Sequence, residues 1–399
     1  MLQDNILGKA IQSVSDAKSS YCKFLSANDS GETGGHQAGI LISIKAKDMM
    51  FDPMFPLGHI EKRVVKIKWQ DDYETDSTFT YYKSKGELRI TGFGRGFPYL
   101  NKEDTGALFV FTMRDKENYE GYFLYTEDDI NTFLDSFGLS PTETNRPIQT
   151  AFKANYTDEG KVEAGEIFRF IQEIIIYRDS VFPDSATMSR VARQIFDKAY
   201  NRKDQIITNP DKRIIDWTDE EYRIFRRLEE KLYGSIIKKG FSDMETFIDM
   251  ANQVLNRRKS RAGKSLEHHI AAIFDANKIA YEEQVKTEGN KRPDFIFPSG
   301  KAYHDITFPT DRLISLASKT TCKDRWRQVI NEADRLRGRN KYLLTLQQGI
   351  STPQLKEMAA EKVILVVPKP YISSYPREYQ GGIMTVKKFI DYVKETEAL

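Results

Sequence analysis

The chain has 399 residues, with 60 Lys+Arg against 58 Asp+Glu for a net charge of +2, 40% apolar residues and two cysteines, Cys22 and Cys322. That length argues for two to three domains, and the apolar content is enough to bury a sizeable core, which excludes a disordered tail or a coiled-coil rod. No run approaches the roughly 18 apolar residues of a membrane span, the first ten residues lack the basic-then-apolar pattern of a secretory signal, and two distant cysteines exclude a disulfide framework and a Cys-based zinc site. A soluble protein of a reducing compartment is expected.

Leu2, Ile6, Ala10 and Val14 recur at helical spacing and predict a first helix within residues 1–25. The run 26–36 is rich in Gly and small polar residues and reads as a loop. From 38 to 126 short β-type runs follow one another, at 39–44, 63–69, 78–82, 88–90, 107–113 and 121–125, punctuated by turn residues. Many short strands with few helical patterns predict a β-barrel or sandwich. Residues 140–165 read as the edge of a domain, and the apolar run 168–177 fits a helix or a strand.

A second region opens near Val181-Phe182-Pro183. Helical patterns cover 185–200, 219–239, 243–258 and 264–276, the last with Leu266, Ile270, Ile273 and Phe274 on one stripe. Strand-like runs at 294–297, 302–308 and 313–321 come next, then a helix at 325–337, a strand at 342–346, a helix at 353–361, a strand at 363–368 and a helix at 385–396. Alternating strands and helices argue an α/β domain with a mixed sheet. The expected architecture is a β-rich N-terminal domain at 1–165, a linker at 166–180 and an α/β domain at 181–399.

The most informative cluster is Lys319-Thr320-Thr321-Cys322-Lys323-Asp324-Arg325-Trp326-Arg327-Gln328, followed by Asn331-Glu332. Arg325 and Glu332 lie seven residues apart and would share one face of an α-helix. Upstream, Lys291-Arg292-Pro293-Asp294 places an acid at the opening of a strand. Two acids and a lysine on neighbouring elements suit divalent-metal phosphodiester hydrolysis, in which carboxylate oxygens hold a hard cation such as Mg²⁺. By spacing alone the bland alternative stands: a solvated helix start, an ordinary core Trp326 and acids that fall there by chance. His268 and His269 are adjacent, point about 100° apart on a helix and make a poor chelate; with His304 they read as helix-surface or supporting residues. Cys322 has no visible base partner and reads as packing.

Several runs resemble the EcoRII family of type II restriction endonucleases. They are Asn256 through Glu267, Glu288 through Phe295, Ala302-Tyr303-His304-Asp305 and Lys319 through Asp334 in the second half. In the first half they are Leu25 through Asp29, Thr33 through Gln37, Arg89-Ile90-Thr91, Gly94-Arg95-Gly96 and Thr105 through Leu108. The resemblance implies a PD-(D/E)xK nuclease fold for the C-terminal domain and, for the N-terminal domain, a β pseudobarrel of the kind found in plant transcription factors. It implies Asp294 as central metal ligand, Lys319 as catalytic lysine, Glu332 as a second acidic ligand and Glu267 as an additional upstream acid, with Mg²⁺ as cofactor and water as the direct nucleophile. Lys323, Asp324 and Arg325 would read the outer G·C pairs, since Arg and Lys donate to guanine while Asp accepts from cytosine. The basic run 257–264, which includes Arg261 and Lys264, would contact phosphates. Tyr222 matches an aromatic that stacks on a flipped base, but Thr218 stands where the family has an arginine; Trp217 or Arg213 would have to compensate.

In the N-terminal domain the resemblance points to His36, Lys83, Lys85, Glu87, Arg89 and Arg95 as contacts to a second, effector copy of the DNA site. Glu87 and Arg89, two apart in a strand, would face one side. The alternative there is an exposed edge guarded by charge. Two departures matter: Ile40-Leu41-Ile42 replaces an aromatic that follows His36 in the family, and the 83–87 stretch is short. The whole implies double-stranded DNA cleavage at a short pseudopalindrome with CC and GG arms, CCWGG- or CCNGG-like. It also implies a homodimer through the C-terminal domain, activation by effector DNA and residence in the cytoplasm of a bacterial or archaeal cell. The competing reading is a catalytically inactive DNA-binding regulator on the same domains; a hydrolase of small phosphates is a third.

Overall fold

A computed structural model describes residues 5–32, 39–52, 58–148, 157–177 and 181–398. Helix α1 (Ile6–Asp16) starts where the Asn5 side chain accepts a bond from the Gly8 amide at 2.7 Å, and it buries Leu7, Ala10 and Val14. The strands β1 (Ser19–Phe24), β2 (Ile40–Ile42), β3 (Ile60–Trp69), β4 (Glu74–Tyr82), β5 (Glu87–Thr91), β6 (Leu108–Met113), β7 (Asn118–Leu124) and β8 (Arg146–Pro147) form one sheet in the order β2-β5-β4-β3-β7-β6-β1-β8. All its pairings are antiparallel except β3 with β7. The short helix α2 (Lys47–Met50) follows β2, and α3 (Glu127–Phe137) follows β7.

β6 reads as an unbroken apolar run because both its faces are covered. Phe109 and Phe111 point into an aromatic core with Trp69, Phe79 and Phe123, while Leu108 and Val110 face α1 and α3. Gly121 is required inside this core, since a Cβ there would lie 2.5 Å from the Trp69 ring. β1 falls inside the segment expected to be helical; its Tyr21 and Phe24 alternate between the two cores, and that tertiary fit overrides the local pattern.

The second half is helical first: α4 (Asp158–Tyr177), α5 (Ser185–Tyr200), α6 (Gln205–Thr208), α7 (Pro210–Lys239) and α8 (Met244–Ala276). The segment 166–177, expected within a linker, is the body of α4, and its Ile167, Phe170, Ile171 and Ile174 share a core with α5 and α7. The helices expected at 243–258 and 264–276 are one rod, because nothing in 259–263 breaks α-geometry. A mixed sheet then forms in the order β13-β12-β11-β10-β9, from β9 (Glu282–Glu283), β10 (Phe295–Phe297), β11 (Ile314–Lys319), β12 (Lys341–Thr345) and β13 (Val363–Val366). β11, β12 and β13 are parallel; β10 is antiparallel to β11 and to β9.

α7, α8 and α12 (Val386–Ala398) cover one face of this sheet. α10 (Thr352–Ala360) and the segment around α11 (Arg377–Gln380) cover the other. The expected strand at 302–308 is instead the short helix α9 (Gly300–His304), capped by the Ser299 hydroxyl. Residues 325–331 form a 3₁₀ helix, whose three-residue period stacks Trp326 and Val329 on the core. Glu332 continues that stack, so Arg325 and Glu332 do not share a face as α-periodicity suggested.

The two halves meet over an extensive polar contact. Arg226 forks onto Glu143 at 2.6 and 2.7 Å, and Arg258 donates to the Asp135 and Ser136 carbonyls at 2.7 and 2.9 Å. Gly106 approaches so closely that a Cβ would stand 2.3 Å from the Gly349 carbonyl oxygen.

Candidate active site and recognition segment

Asp294 immediately precedes β10, and antiparallel pairing brings it level with the end of β11. Its Oδ2 accepts from the Ser318 amide at 2.7 Å and hydroxyl at 3.1 Å; its Oδ1 accepts from Gln284 Nε2 at 3.0 Å. These three bonds fix the carboxylate, and Lys319 is the next residue along β11, at its end. Glu332 follows the 3₁₀ helix, and its backbone carbonyl accepts from the Thr287 hydroxyl at 2.6 Å. Burial, and then the charge of Asp294, push its carboxyl up to about 7, with Lys319 opposing. Glu267 projects from α8, paired to Lys264 at 2.8 Å. Its pKa is raised by burial, against Lys264 and with help from Asp294 and Glu283.

The structure thus brings Glu267, Asp294, Lys319 and Glu332 into one electrostatic neighbourhood. Among the described residues no three His, Cys, Asp or Glu side chains converge closely enough to hold a metal ion between them. That arrangement does not suit an all-protein cage. The donors present are carboxylate oxygens, the type of ligand that a hard cation takes, one or two from a protein beside several waters. Gln284, Ser318 and Glu283 were not singled out in the sequence; only Ser318, beside Lys319, had a local signal.

The run 321–325 is clasped by the N-terminal turn of α3. Glu127 Oε2 accepts from the amides of Lys323, Asp324 and Arg325 at 2.9, 3.0 and 3.2 Å, and its Oε1 accepts from Arg325 Nε at 3.1 Å. Asp324 Oδ2 accepts in return from the Glu127 amide at 3.1 Å, Arg325 pairs with Asp128 at 3.2 Å, and Thr321 donates to Asn131 at 2.7 Å. Lys323 is buried, and burial lowers its ammonium pKa. Cys322 is also buried, which pushes its thiol up and leaves it a packing residue.

Within the basic run, Arg257 donates to the Tyr233 hydroxyl and Arg258 forks onto Glu229. Arg261 lies buried between Glu221, at 3.5 Å, and the rings of Tyr222 and Phe225, each 3.9 Å from its guanidinium carbon. Lys259 and Lys264 remain exposed. Tyr222 lines a cavity of about 260 Å³ with Asn131, Asp135, Lys259, Gly263 and Arg325. Thr218 turns its hydroxyl back to the Ile214 carbonyl at 2.7 Å, Arg213 sits over Phe196, and Trp217 packs beside His269. None of the three lines the Tyr222 cavity. His269 belongs to the core, its Nε2 3.1 Å from a Glu221 carboxylate oxygen, while His304 is exposed and contacts the Lys286 carbonyl.

In the N-terminal domain Lys83 and Lys85 are exposed in the β4–β5 turn, and Arg95 is exposed between Gly94 and Gly96. Glu87 and Arg89 share a face of β5 and pair at 3.5 Å. His36 lies outside the described residues.

Comparison with known proteins agrees with this division. Residues 13–128 match the family model for the N-terminal domain of restriction endonuclease EcoRII, and residues 225–390 match that for the EcoRII C-terminal domain. The chain is 34% identical over 391 residues to the type II restriction enzyme EcoRII of Escherichia coli, covering 93% of this chain and 92% of that one. Among solved structures, a metal-depleted Ecl18kI in complex with uncleaved, modified DNA aligns at 20% identity and a TM-score of 0.46, over 58% of this chain and 84% of its own. A PspGI–substrate DNA complex aligns at 16% and 0.37, over 62% and 97%. The two matched domains and the near-full-length relative define a site-specific DNA endonuclease. The chain belongs to the EcoRII family of type II restriction endonucleases.

Proposed function

We propose that this endonuclease cuts double-stranded DNA at a short pseudopalindrome with CC and GG arms, using Mg²⁺, and is held back until effector DNA binds its N-terminal domain. The observation that carries the catalytic reading is the pairing of β10 with β11, which sets a carboxylate fixed by three hydrogen bonds beside Lys319 and the half-buried Glu332. Asp294 and Glu332 would hold the cation, with Glu267 close enough to tune it. Mg²⁺ bound there supplies Lewis acidity toward water and the scissile phosphate. Lys319 places an ammonium against the phosphate and orients the attacking water. Burial and the charge of Asp294 raise the Glu332 carboxyl, and a cation held beside it would favour the ionised form.

Lys323, Asp324 and Arg325 would read the G·C arms. Their backbone amides and the Arg325 guanidinium are engaged by Glu127 in this arrangement, which supports a closed state in which the N-terminal domain holds the segment that carries them. Effector DNA at Lys83, Lys85, Glu87, Arg89, Arg95 and His36 would have to favour the open arrangement. The two-fold symmetry of the site implies a homodimer through the C-terminal domain, in the cytoplasm. The packing of α4 supports a domain boundary between β8 and α4. Incubating plasmid DNA with the full chain and Mg²⁺, with and without a short cognate duplex, and sequencing the ends tests the reading. Discrete ends at CC…GG sites are expected. No cleavage under any of these conditions would leave a DNA-binding regulator.

A further inference from the structure

Asp294 and Glu332 come from separate parts of the chain, one ahead of β10 and one after the 3₁₀ helix, and a short segment between β9 and β10 is bonded to both. Gln284 opens it. Its backbone N–H donates to the Asp294 carbonyl at 3.1 Å and its side-chain amide to Asp294 Oδ1 at 3.0 Å, so one residue grips Asp294 by main chain and side chain together. Three residues on, the Thr287 hydroxyl meets the Glu332 carbonyl at 2.6 Å, and the Thr287 amide donates to the Lys291 carbonyl at 2.8 Å. Glu288 then accepts from the Asp334 amide at 3.1 Å and from the Tyr303 hydroxyl at 2.7 Å. Between these grips Val285 is buried in a small core shared with Ala333 and Leu336, just past Glu332.

The grip on Asp294 has a backbone signature. Gln284 sits at φ 54°, in the left-handed region that residues with a side chain rarely adopt and that glycine enters freely. That conformation ends the extended run of β9 after Glu283. A glutamine where glycine would sit with less strain points to a use for its side chain. The use on the page is the bond to Asp294. Mg²⁺ demands near-ideal octahedral geometry, so the placing of its carboxylates decides how well it is held. We propose that the segment 284–288 is a brace that sets Asp294 and Glu332 at the spacing a divalent cation needs, with Gln284 and Thr287 as positioning residues. This rests on the reading of Asp294 and Glu332 as ligands of the cation. Gln284 acts through the Asp294 carboxylate, and Thr287 acts through the backbone that carries Glu332. Groups that orient the ligands of a metal are worth about 10–100-fold in affinity or activity.

The test measures Mn²⁺ binding to the full chain without DNA, from the electron paramagnetic resonance signal of the free ion, so it does not depend on cleavage. The parent chain should bind the ion and Asp294→Asn should lose it. Gln284→Gly should melt close to the parent, because glycine relieves the left-handed backbone even as it frees the unfolded chain. It should nevertheless bind Mn²⁺ about 10–100-fold more weakly. Thr287→Val should weaken binding in the same direction, and Thr287→Ser, which keeps the hydroxyl, should recover it. Parental affinity in folded Gln284→Gly and Thr287→Val, with binding still lost in Asp294→Asn, would overturn the brace and leave the ligand assignment standing. A parent that binds no Mn²⁺, or parental affinity in Asp294→Asn, would instead overturn the ligand assignment on which the brace rests.

Discussion

Replacing Glu127 with alanine should release the recognition segment without touching the catalytic groups. The Glu127 carboxylate accepts three backbone amides and one guanidinium N–H from residues 323–325, and it is almost fully buried. A hydrogen bond to a charged acceptor is worth about 1.5–3 kcal/mol. The three amides share one oxygen, so their contributions do not add, but alanine leaves all three without this acceptor. A loss of about 2–3 kcal/mol for the closed arrangement follows. The Arg226–Glu143 fork and the Arg258 bonds to α3 remain, so the domains loosen rather than separate. Such a loss corresponds to a roughly 30–150-fold rise in the open population. The assay is the initial rate of cleavage of a plasmid carrying one site, with and without added short duplex. Glu127→Ala should raise the unstimulated rate by about that factor, up to the ceiling set by the stimulated parent. Glu127→Gln, which keeps an acceptor but not the charge, should fall between. A folded Glu127→Ala protein with the parental rate and the parental dependence on added duplex would refute the clasp as the restraint.

Asp294→Asn should abolish cleavage while a cognate duplex still binds in a gel-shift assay; retained cleavage would remove Asp294 from the site. Arg325→Ala should weaken specific binding by about 1–3 kcal/mol and relax selection at one base pair, measured by binding to single-substituted duplexes; it also removes part of the Glu127 clasp, so its residual cleavage should depend less on effector. Glu332→Gln tests the raised pKa through stability in the absence of metal. The carboxyl titrates near 4.5 when unfolded and about 7 when folded, so its contribution to stability is fully present below 4.5 and is lost as pH rises to about 7. Glutamine removes that late penalty, up to about 3 kcal/mol, so the variant should gain thermal stability at pH 8 and little at pH 4. Equal shifts at both pH values would contradict the assignment.

The apolar run of β6, the stripe of Leu266, Ile270 and Phe274 and the strand–helix alternation of the second half were legible because each follows from local periodicity and burial. The proposed Asp294, Lys319 and Glu332 set came from matching the run around Lys319 to a family; their spacing alone was not informative. β1 and the 3₁₀ geometry of 325–331 were not legible, since what selects them is the packing of Tyr21, Trp326 and Val329 against residues far along the chain.

The sequence by itself determined the two-domain division and the classes of most elements, and it proposed the acid–lysine set. Only the tertiary structure decided which charges are free to act. Arg261 and Lys264 belong to one basic run, yet one is buried against Glu221, Tyr222 and Phe225 and the other pairs with Glu267 at the surface. Lys323, Asp324 and Arg325 look available in the chain, yet their backbone amides and the Arg325 guanidinium are held by Glu127, nearly 200 positions away. The physical reason is that a charged side chain is assigned by whichever partner the folded backbone brings within hydrogen-bonding range, and for Arg261 and Arg325 that partner comes from a different element or the other domain.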